Sequence, residues 1–172
     1  MDFDPKRSIY LNGGINTDTI LSTIMGLSSL YIADPKSVIT LFITSNGGSV
    51  SDSFALYDYV THALKPRLQT VALGEVNSSA VILFLAGTLR HIGKLALMRF
   101  HRFSLTNDLI LNSKNTQKMG KDLERGEANY IDILMSRSKG IITKKMANDL
   151  LDNNRTVTAI ESVKLGLAHK IL

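Results

Sequence analysis

Residues 74–80 read GEVNSSA, and an apolar run from Val81 to Ala86 follows them directly. A second apolar stretch, LALMRFH at residues 95–101, ends in a histidine. The first stretch predicts a small-residue turn that presents Ser78 at the start of a hydrophobic helix, and the second predicts a strand that ends at His101. Serine and histidine at the ends of neighbouring elements are two members of an acyl-transfer site, which also needs oxyanion donors and a group that orients the histidine.

Upstream of this stretch, apolar strands alternate with amphipathic helices. Strands are predicted at residues 8–11, 38–43 and 68–73, and a helix is predicted in each interval between them. Downstream, the pattern predicts helices at residues 118–137, 144–151 and 159–165, with a short strand at 156–158. Strands that alternate with helices are typical of parallel βαβ units, so the fold class is α/β. We expect one domain over residues 1–172, because no repeat or linker interrupts the chain.

The composition excludes several classes of site and partner. The 172 residues contain no cysteine, which rules out disulfides, thiolate metal sites and cysteine nucleophiles. Four histidines without cysteine or a close spacing to acids indicate no metal site, and no cofactor is implied. A net charge of +5 with scattered lysines and arginines weighs against nucleic-acid binding. No apolar run approaches the roughly 20 residues of a membrane helix, so we expect a soluble cytoplasmic protein without a membrane partner.

Each candidate residue has an ordinary structural explanation when taken alone. Ser78 is equally suited to cap the helix that follows it. Gly47 and Gly48, after a buried strand, suit a tight turn, although they also let a backbone N–H approach a ligand carbonyl. The N–H of Ser79, at a helix N-terminus, has the same capacity. We interpret the three other histidines as surface or structural residues: His62, His91 (in a loop rich in glycine and lysine) and His169.

The ordered combination of motifs resembles the proteolytic subunit of the Clp protease family. In that family a strand ends in Ser-Pro-Gly-Gly, the nucleophilic serine lies four residues after a glycine, and a later strand ends in the catalytic histidine. The matching segments of this chain are 45–48 (SNGG), 54–58 (FALYD), 74–78 (GEVNS), 98–101 (MRFH) and 161–167 (ESVKLGL). The resemblance runs from about Arg7 to Leu172, and it implies the spiral of repeated βαβ units shared by Clp proteases and crotonases.

By position, the resemblance implies that Ser78 is the nucleophile and His101 the general base. The backbone N–H groups of Gly48 and Ser79 would form the oxyanion hole. The family's acid falls at Asn154, which is not an acid, and the nearest carboxylate is Asp152. An asparagine oxygen can still accept a hydrogen bond from the histidine, so either residue remains open as the third member of the triad.

The resemblance also implies a peptide or unfolded protein as substrate, stacked heptameric rings of this chain, and an ATPase unfoldase or a homologous subunit as partner. One segment departs from the family, because residues 102–107 (RFSLTN) replace the glycine-rich segment that follows the histidine. Two alternatives remain open. One is a non-catalytic or weakly active paralogue that completes or regulates a ring, and the other is an acyl-CoA enzyme of the crotonase type.

Overall fold

The fold is built around a mainly parallel sheet. This computed structural model describes residues 3–104 and 113–172. Strands β1, β2, β3, β4 and β7 lie side by side in that order, and all of these pairs are parallel. Strands β5 and β6 extend the sheet from the far end of β3. The strands are β1 Ser8–Asn12, β2 Ile39–Ser45, β3 Leu68–Asn77, β4 Leu89–Ile92, β5 Leu97–Arg99, β6 Thr156–Thr158 and β7 Lys170–Ile171.

Helices separate most of the strands along the chain. They are α1 Thr17–Ala33, α2 Val50–Asp58, α3 Ala80–Leu85, α4 Ser113–Arg137, α5 Lys144–Asp152 and α6 Ala159–Lys164. Asn16 and Thr19 form a reciprocal capping box at the start of α1, and the Thr143 hydroxyl caps α5. A wider π-type segment, Tyr59–Leu64, continues α2 as far as the left-handed Lys65. The prediction of an α/β fold built from alternating strands and helices is confirmed.

Strand β3 changes its partner halfway along its length. Residues 69–72 pair with β4, whereas residues 75–77 pair with β5. The register against β2 shifts at the same point, and Gly74 there has the left-handed φ of +59° that favours glycine. The predicted turn from Gly74 was therefore wrong: the strand continues to Asn77, because β5 supplies a new set of backbone hydrogen bonds beyond the bulge.

Helix α3 lies in the centre of the core. Every residue from Ala80 to Leu85 has an exposed fraction of 0%. Burying a large apolar side chain stabilises a fold by about 1.5–3 kcal/mol. The short helix directly after Ser78 is therefore held by tertiary packing on several sides, which also holds the turn that precedes it.

His91 does not lie in the loop that the sequence predicted. It lies in β4, paired with Val71 of β3 and Lys170 of β7, and its exposed fraction is 3%. The glycine and lysine that suggested a loop are Gly93 and Lys94, which follow the strand. In the described part of the chain, no helix is both long and apolar enough to cross a membrane.

Candidate active site

Ser78 lies on a strained turn between β3 and α3. Its φ is +55°, in the left-handed region that costs a residue other than glycine about 1–2 kcal/mol. Backbone hydrogen bonds hold it there: the Ser78 N–H donates to Arg99 O at 2.8 Å, and the Val81 N–H donates to Ser78 O at 3.1 Å. Within the described residues the Ser78 hydroxyl makes no hydrogen bond to the helix, so the geometry does not support a capping role. A serine on a sharp strand-to-helix turn is typical of an acyl-transfer nucleophile.

The turn after β2 packs against Ser78. A Cβ atom on Gly47 would lie 2.8 Å from both Asn77 O and Ser78 Cβ, so only glycine fits there. Gly48 forms a backbone bridge with Ile15, and the Ser79 hydroxyl donates to Gly48 O at 3.2 Å. Within residues 3–104 and 113–172, no hydrogen bond uses the N–H of Gly48 or the N–H of Ser79. Both groups are thus available to an oxyanion.

A buried amide side chain, that of Asn77, links the elements around Ser78. Its Nδ2 donates to Glu75 Oε2 at 2.7 Å and to Asn46 Oδ1 at 3.2 Å. Its Oδ1 accepts from the Arg99 N–H of β5 at 3.1 Å. Asn77 therefore ties the end of β3 to the turn after β2 and to the strand that leads to His101. Sequence reasoning missed this role, because a lone asparagine before a serine carries no pattern.

Ser78, His101 and Gly48 line one cavity of about 870 Å³. The apolar part of its wall consists of Phe54, Phe103, Met119 and Leu123. The polar part includes Ser49, Asp122, Arg125 and Asn129. The cavity is open and large enough for several residues of an extended peptide. The structure therefore brings the predicted nucleophile and the predicted base to a common space.

The ring of His101 has a defined hydrogen-bond partner. His101 lies two residues beyond β5, and the preceding Phe100 is fully buried, with its N–H bonded to Arg155 O at 2.8 Å. His101 Nδ1 lies 2.6 Å from the carbonyl oxygen of Arg102. A carbonyl oxygen only accepts hydrogen bonds, so Nδ1 carries the proton. In the neutral ring, Nε2 then keeps its lone pair, as a general base requires.

Within the described residues, neither candidate for the third member of the triad is hydrogen-bonded to His101. Asn154 is exposed, has a left-handed φ of +48°, and its side chain makes no hydrogen bond within the described residues. Asp152 is also exposed, and its Oδ1 accepts from Arg102 Nε at 2.8 Å. That hydrogen bond lowers the pKa of the Asp152 carboxyl. Neither residue lines the cavity that holds Ser78, and the assignment of Asn154 stays a prediction.

Comparison with known proteins relates this arrangement to a family. The family described as Clp protease matches residues 2–172 of the chain. The chain belongs to the Clp protease family. Its relatives include proteins named "ATP-dependent Clp protease proteolytic subunit" from Borrelia garinii subsp. bavariensis and Borreliella afzelii, which are 28% and 27% identical over 170 residues. The aligned region covers 97% of this chain and 84% and 83% of those relatives.

In this Clp protease family member, the segment after His101 is tied to the helices by a charged network. The Arg102 guanidinium donates to Glu127 Oε2 of α4 at 2.8 Å and to Asn148 Oδ1 of α5 at 2.7 Å, in addition to Asp152. Sequence reasoning noted only that residues 102–107 depart from the family. Residues 105–107 lie outside the described residues, whereas the described part of this segment is anchored by its own side chains.

A buried tyrosine supports the same region of the Clp-family site. The Tyr130 hydroxyl donates to Ser78 O at 3.4 Å, and its ring stacks on that of Phe103 with centroids 5.7 Å apart. Burial raises the pKa of the Tyr130 hydroxyl, which keeps it protonated as a donor. The sequence predicted Tyr130 only as part of the apolar face of a helix. Its contact with the serine turn has no local sequence signal.

Proposed function

We propose that this chain is a serine peptidase subunit that hydrolyses peptides or unfolded proteins. The observation that carries the proposal is the shared cavity, which contains a serine on a strained turn and a histidine whose Nε2 is unprotonated in the neutral ring. Membership of the Clp protease family supports the same reaction class. The N–H groups of Gly48 and Ser79, which no hydrogen bond uses within the described residues, support the same reaction as candidate oxyanion donors.

In the proposed reaction, Ser78 Oγ attacks the carbonyl carbon of a peptide bond while His101 Nε2 takes the hydroxyl proton. The carbonyl oxygen becomes an oxyanion, which the N–H groups of Gly48 and Ser79 stabilise. The intermediate collapses when the C–N bond breaks and His101 gives its proton to the leaving amine. Water, deprotonated by His101, then attacks the acyl carbonyl carbon; the C–O bond to Ser78 breaks, and His101 returns the proton to Ser78 Oγ. Asn154 stays the sequence-based prediction for the third member of the triad.

The proposed assembly follows the family. The relatives are named as ATP-dependent proteolytic subunits, so we propose an ATPase or a homologous subunit as a partner and a ring of several copies as the working form. Heptameric stoichiometry and a cytoplasmic location stay predictions. Because the segment after His101 departs from the family, we expect short peptides to be cleaved better than proteins delivered by an ATPase.

One observation favours a second candidate, a non-catalytic or weakly active ring subunit. An exposed asparagine occupies the position where the family has an acid, and its side chain makes no hydrogen bond within the described residues. Such a subunit would keep the fold and the ring surfaces without rapid acylation of Ser78. The crotonase-type acyl-CoA enzyme gains no comparable support from the described residues.

Labelling with a fluorophosphonate probe tests the proposal, because only an activated serine reacts rapidly. We expect the parent protein to be labelled at Ser78 and to cleave a short fluorogenic peptide. Ser78→Ala should abolish both. Ser79→Ala is the matched control: it keeps the backbone N–H that has the proposed role and loses only the hydroxyl bond to Gly48 O, so it should keep most of both. A parent that is folded but not labelled would favour the non-catalytic subunit.

A further inference from the structure

The peptide unit between Arg102 and Phe103 is hydrogen-bonded at both of its ends. Its carbonyl oxygen accepts from His101 Nδ1 at 2.6 Å. Its N–H, which belongs to Phe103, donates to Glu127 Oε1 at 2.9 Å. A carboxylate and the imidazole therefore form the two ends of a short chain of hydrogen bonds that passes through one peptide group.

Both residues of this peptide unit are fixed by their side chains. The Arg102 guanidinium binds Glu127, Asn148 and Asp152 on two different helices, and the Phe103 ring stacks on the buried Tyr130. The peptide therefore cannot rotate without breaking several of these contacts. Its carbonyl oxygen stays directed at His101.

The Glu127 carboxylate is well placed to polarise this peptide electrostatically. Its side chain is only 16% exposed, and its two oxygens are used separately, one by the Phe103 N–H and the other by Arg102. One guanidinium is shared by two carboxylates in this cluster, so within the described residues its single positive charge does not neutralise both of them. A carboxylate that accepts from a peptide N–H polarises the peptide and makes its carbonyl oxygen a stronger acceptor.

We propose that Glu127 is the positioning residue that orients His101, acting through the Arg102–Phe103 peptide unit. The inference rests on the proposed function for its catalytic consequence. The polarised carbonyl holds the proton on Nδ1 and stabilises the imidazolium that forms when Ser78 loses its proton. This is the role that an orienting acid plays by direct contact in a serine-protease triad. No proton passes through the peptide, because its oxygen only accepts a hydrogen bond.

Two substitutions separate the charge of Glu127 from its oxygen. Glu127→Gln keeps an oxygen that can accept from the Phe103 N–H but removes the charge, and Glu127→Ala removes both. Glu124→Gln is the matched control: it is the same substitution one turn earlier on α4, at an exposed residue without a hydrogen bond in the described part of the chain. All variants are made in the full chain labelled with ¹⁵N-histidine.

Nitrogen NMR of the His101 ring reports directly which nitrogen carries the proton, and His101→Gln assigns its signals. We expect the Nδ1–H tautomer in the parent and in Glu127→Gln, and a mixture with the Nε2–H tautomer in Glu127→Ala. Loss of one charge-assisted contribution should lower the kcat of Glu127→Gln about tenfold without a change in KM. Glu127→Ala should lose more, and Glu124→Gln should match the parent in both readouts.

Three outcomes would overturn the inference. They are an Nε2–H tautomer in the parent, a parent-like tautomer in Glu127→Ala, and a tautomer shift in Asn154→Ala with none in Glu127→Ala. Unchanged signals from His91 and His169 in each variant exclude a general loss of structure. The tautomer measurement needs no turnover, so a parent without peptidase activity would contradict the proposed function while leaving this inference to be decided by NMR.

Discussion

Gly47 packs so closely against Ser78 that an added Cβ atom would lie 2.8 Å from the serine Cβ and 3.3 Å from its Oγ. The φ of Gly47 is +92°, a conformation that other residues rarely adopt. The turn that carries Gly47 and Gly48 and the turn that carries Ser78 are therefore in direct contact. Any side chain at position 47 has to separate them.

Gly47→Ala should consequently damage both stability and reactivity. We expect the free energy of unfolding to fall by about 1–3 kcal/mol, as overpacking and backbone strain usually cost. Labelling of Ser78 by a fluorophosphonate should be lost even where the variant is folded. Gly14→Ala is the control, since nothing lies within 4 Å of its added Cβ. Equal effects of the two substitutions would contradict the close packing.

The strained backbone at Ser78 predicts a difference in stability between two variants that both lack the serine hydroxyl. Ser78→Gly relieves the left-handed φ of +55°, whereas Ser78→Ala keeps it. We expect Ser78→Gly to exceed Ser78→Ala in free energy of unfolding by about 1 kcal/mol, measured by urea denaturation. If Ser78→Ala is the more stable of the two, the serine is not held in the strained conformation.

The hydrogen bonds of the Asn77 amide predict that Asn77→Ala lowers the free energy of unfolding more than Asn46→Ala does. Asn77→Ala leaves the Arg99 N–H without its acceptor and frees Glu75, so we expect a loss of about 1–3 kcal/mol in the free energy of unfolding. Asn46→Ala removes one bond of 3.2 Å at an exposed residue and should cost less than about 0.5 kcal/mol. Similar losses in thermal or urea unfolding would argue against Asn77 as the link between these elements.

His91 makes stability depend on pH. Burial, and then the charge of Lys170, lower the pKa of His91 from 6.5, and within the described residues its buried Nδ1 has no hydrogen-bond partner. Below pH 6.5 the unfolded chain binds more protons than the folded chain, so the free energy of unfolding falls as pH falls. His91→Gln should flatten this decline between about pH 7 and pH 5. His62→Gln, at an exposed side chain, should leave it unchanged, and the reverse ranking would refute the assignment.

Part of the pH dependence should survive in His91→Gln. Burial also lowers the pKa of His169, whose Nδ1 accepts from the Arg90 N–H at 3.0 Å. A folded state that resists protonation at His169 loses stability in the same pH range. The double variant His91→Gln with His169→Gln should therefore show the smallest slope.

Local patterns determined most of the architecture. The apolar run at residues 38–43 predicted strand β2, and the amphipathic stretch before it predicted the helix that the structure shows as α1. Two elements were misjudged for one reason. The end of β3 and the strand that contains His91 depend on hydrogen bonds to strands that are distant in sequence, and no spacing within a short window records such pairing.

In the candidate site, too, some features could be predicted from local sequence and others depend on tertiary structure. Sequence alone determined the small-residue setting of Ser78, the glycines opposite it and the apolar strand before His101, because each depends on its immediate neighbours. Only the tertiary structure decided what orients His101. The acceptor is the backbone carbonyl of Arg102, a group that every residue type has. Glu127 acts on this peptide through the N–H of Phe103, which lies 24 positions away along the chain. A hydrogen bond to a peptide group depends on how helix α4 packs, which is set by the whole core.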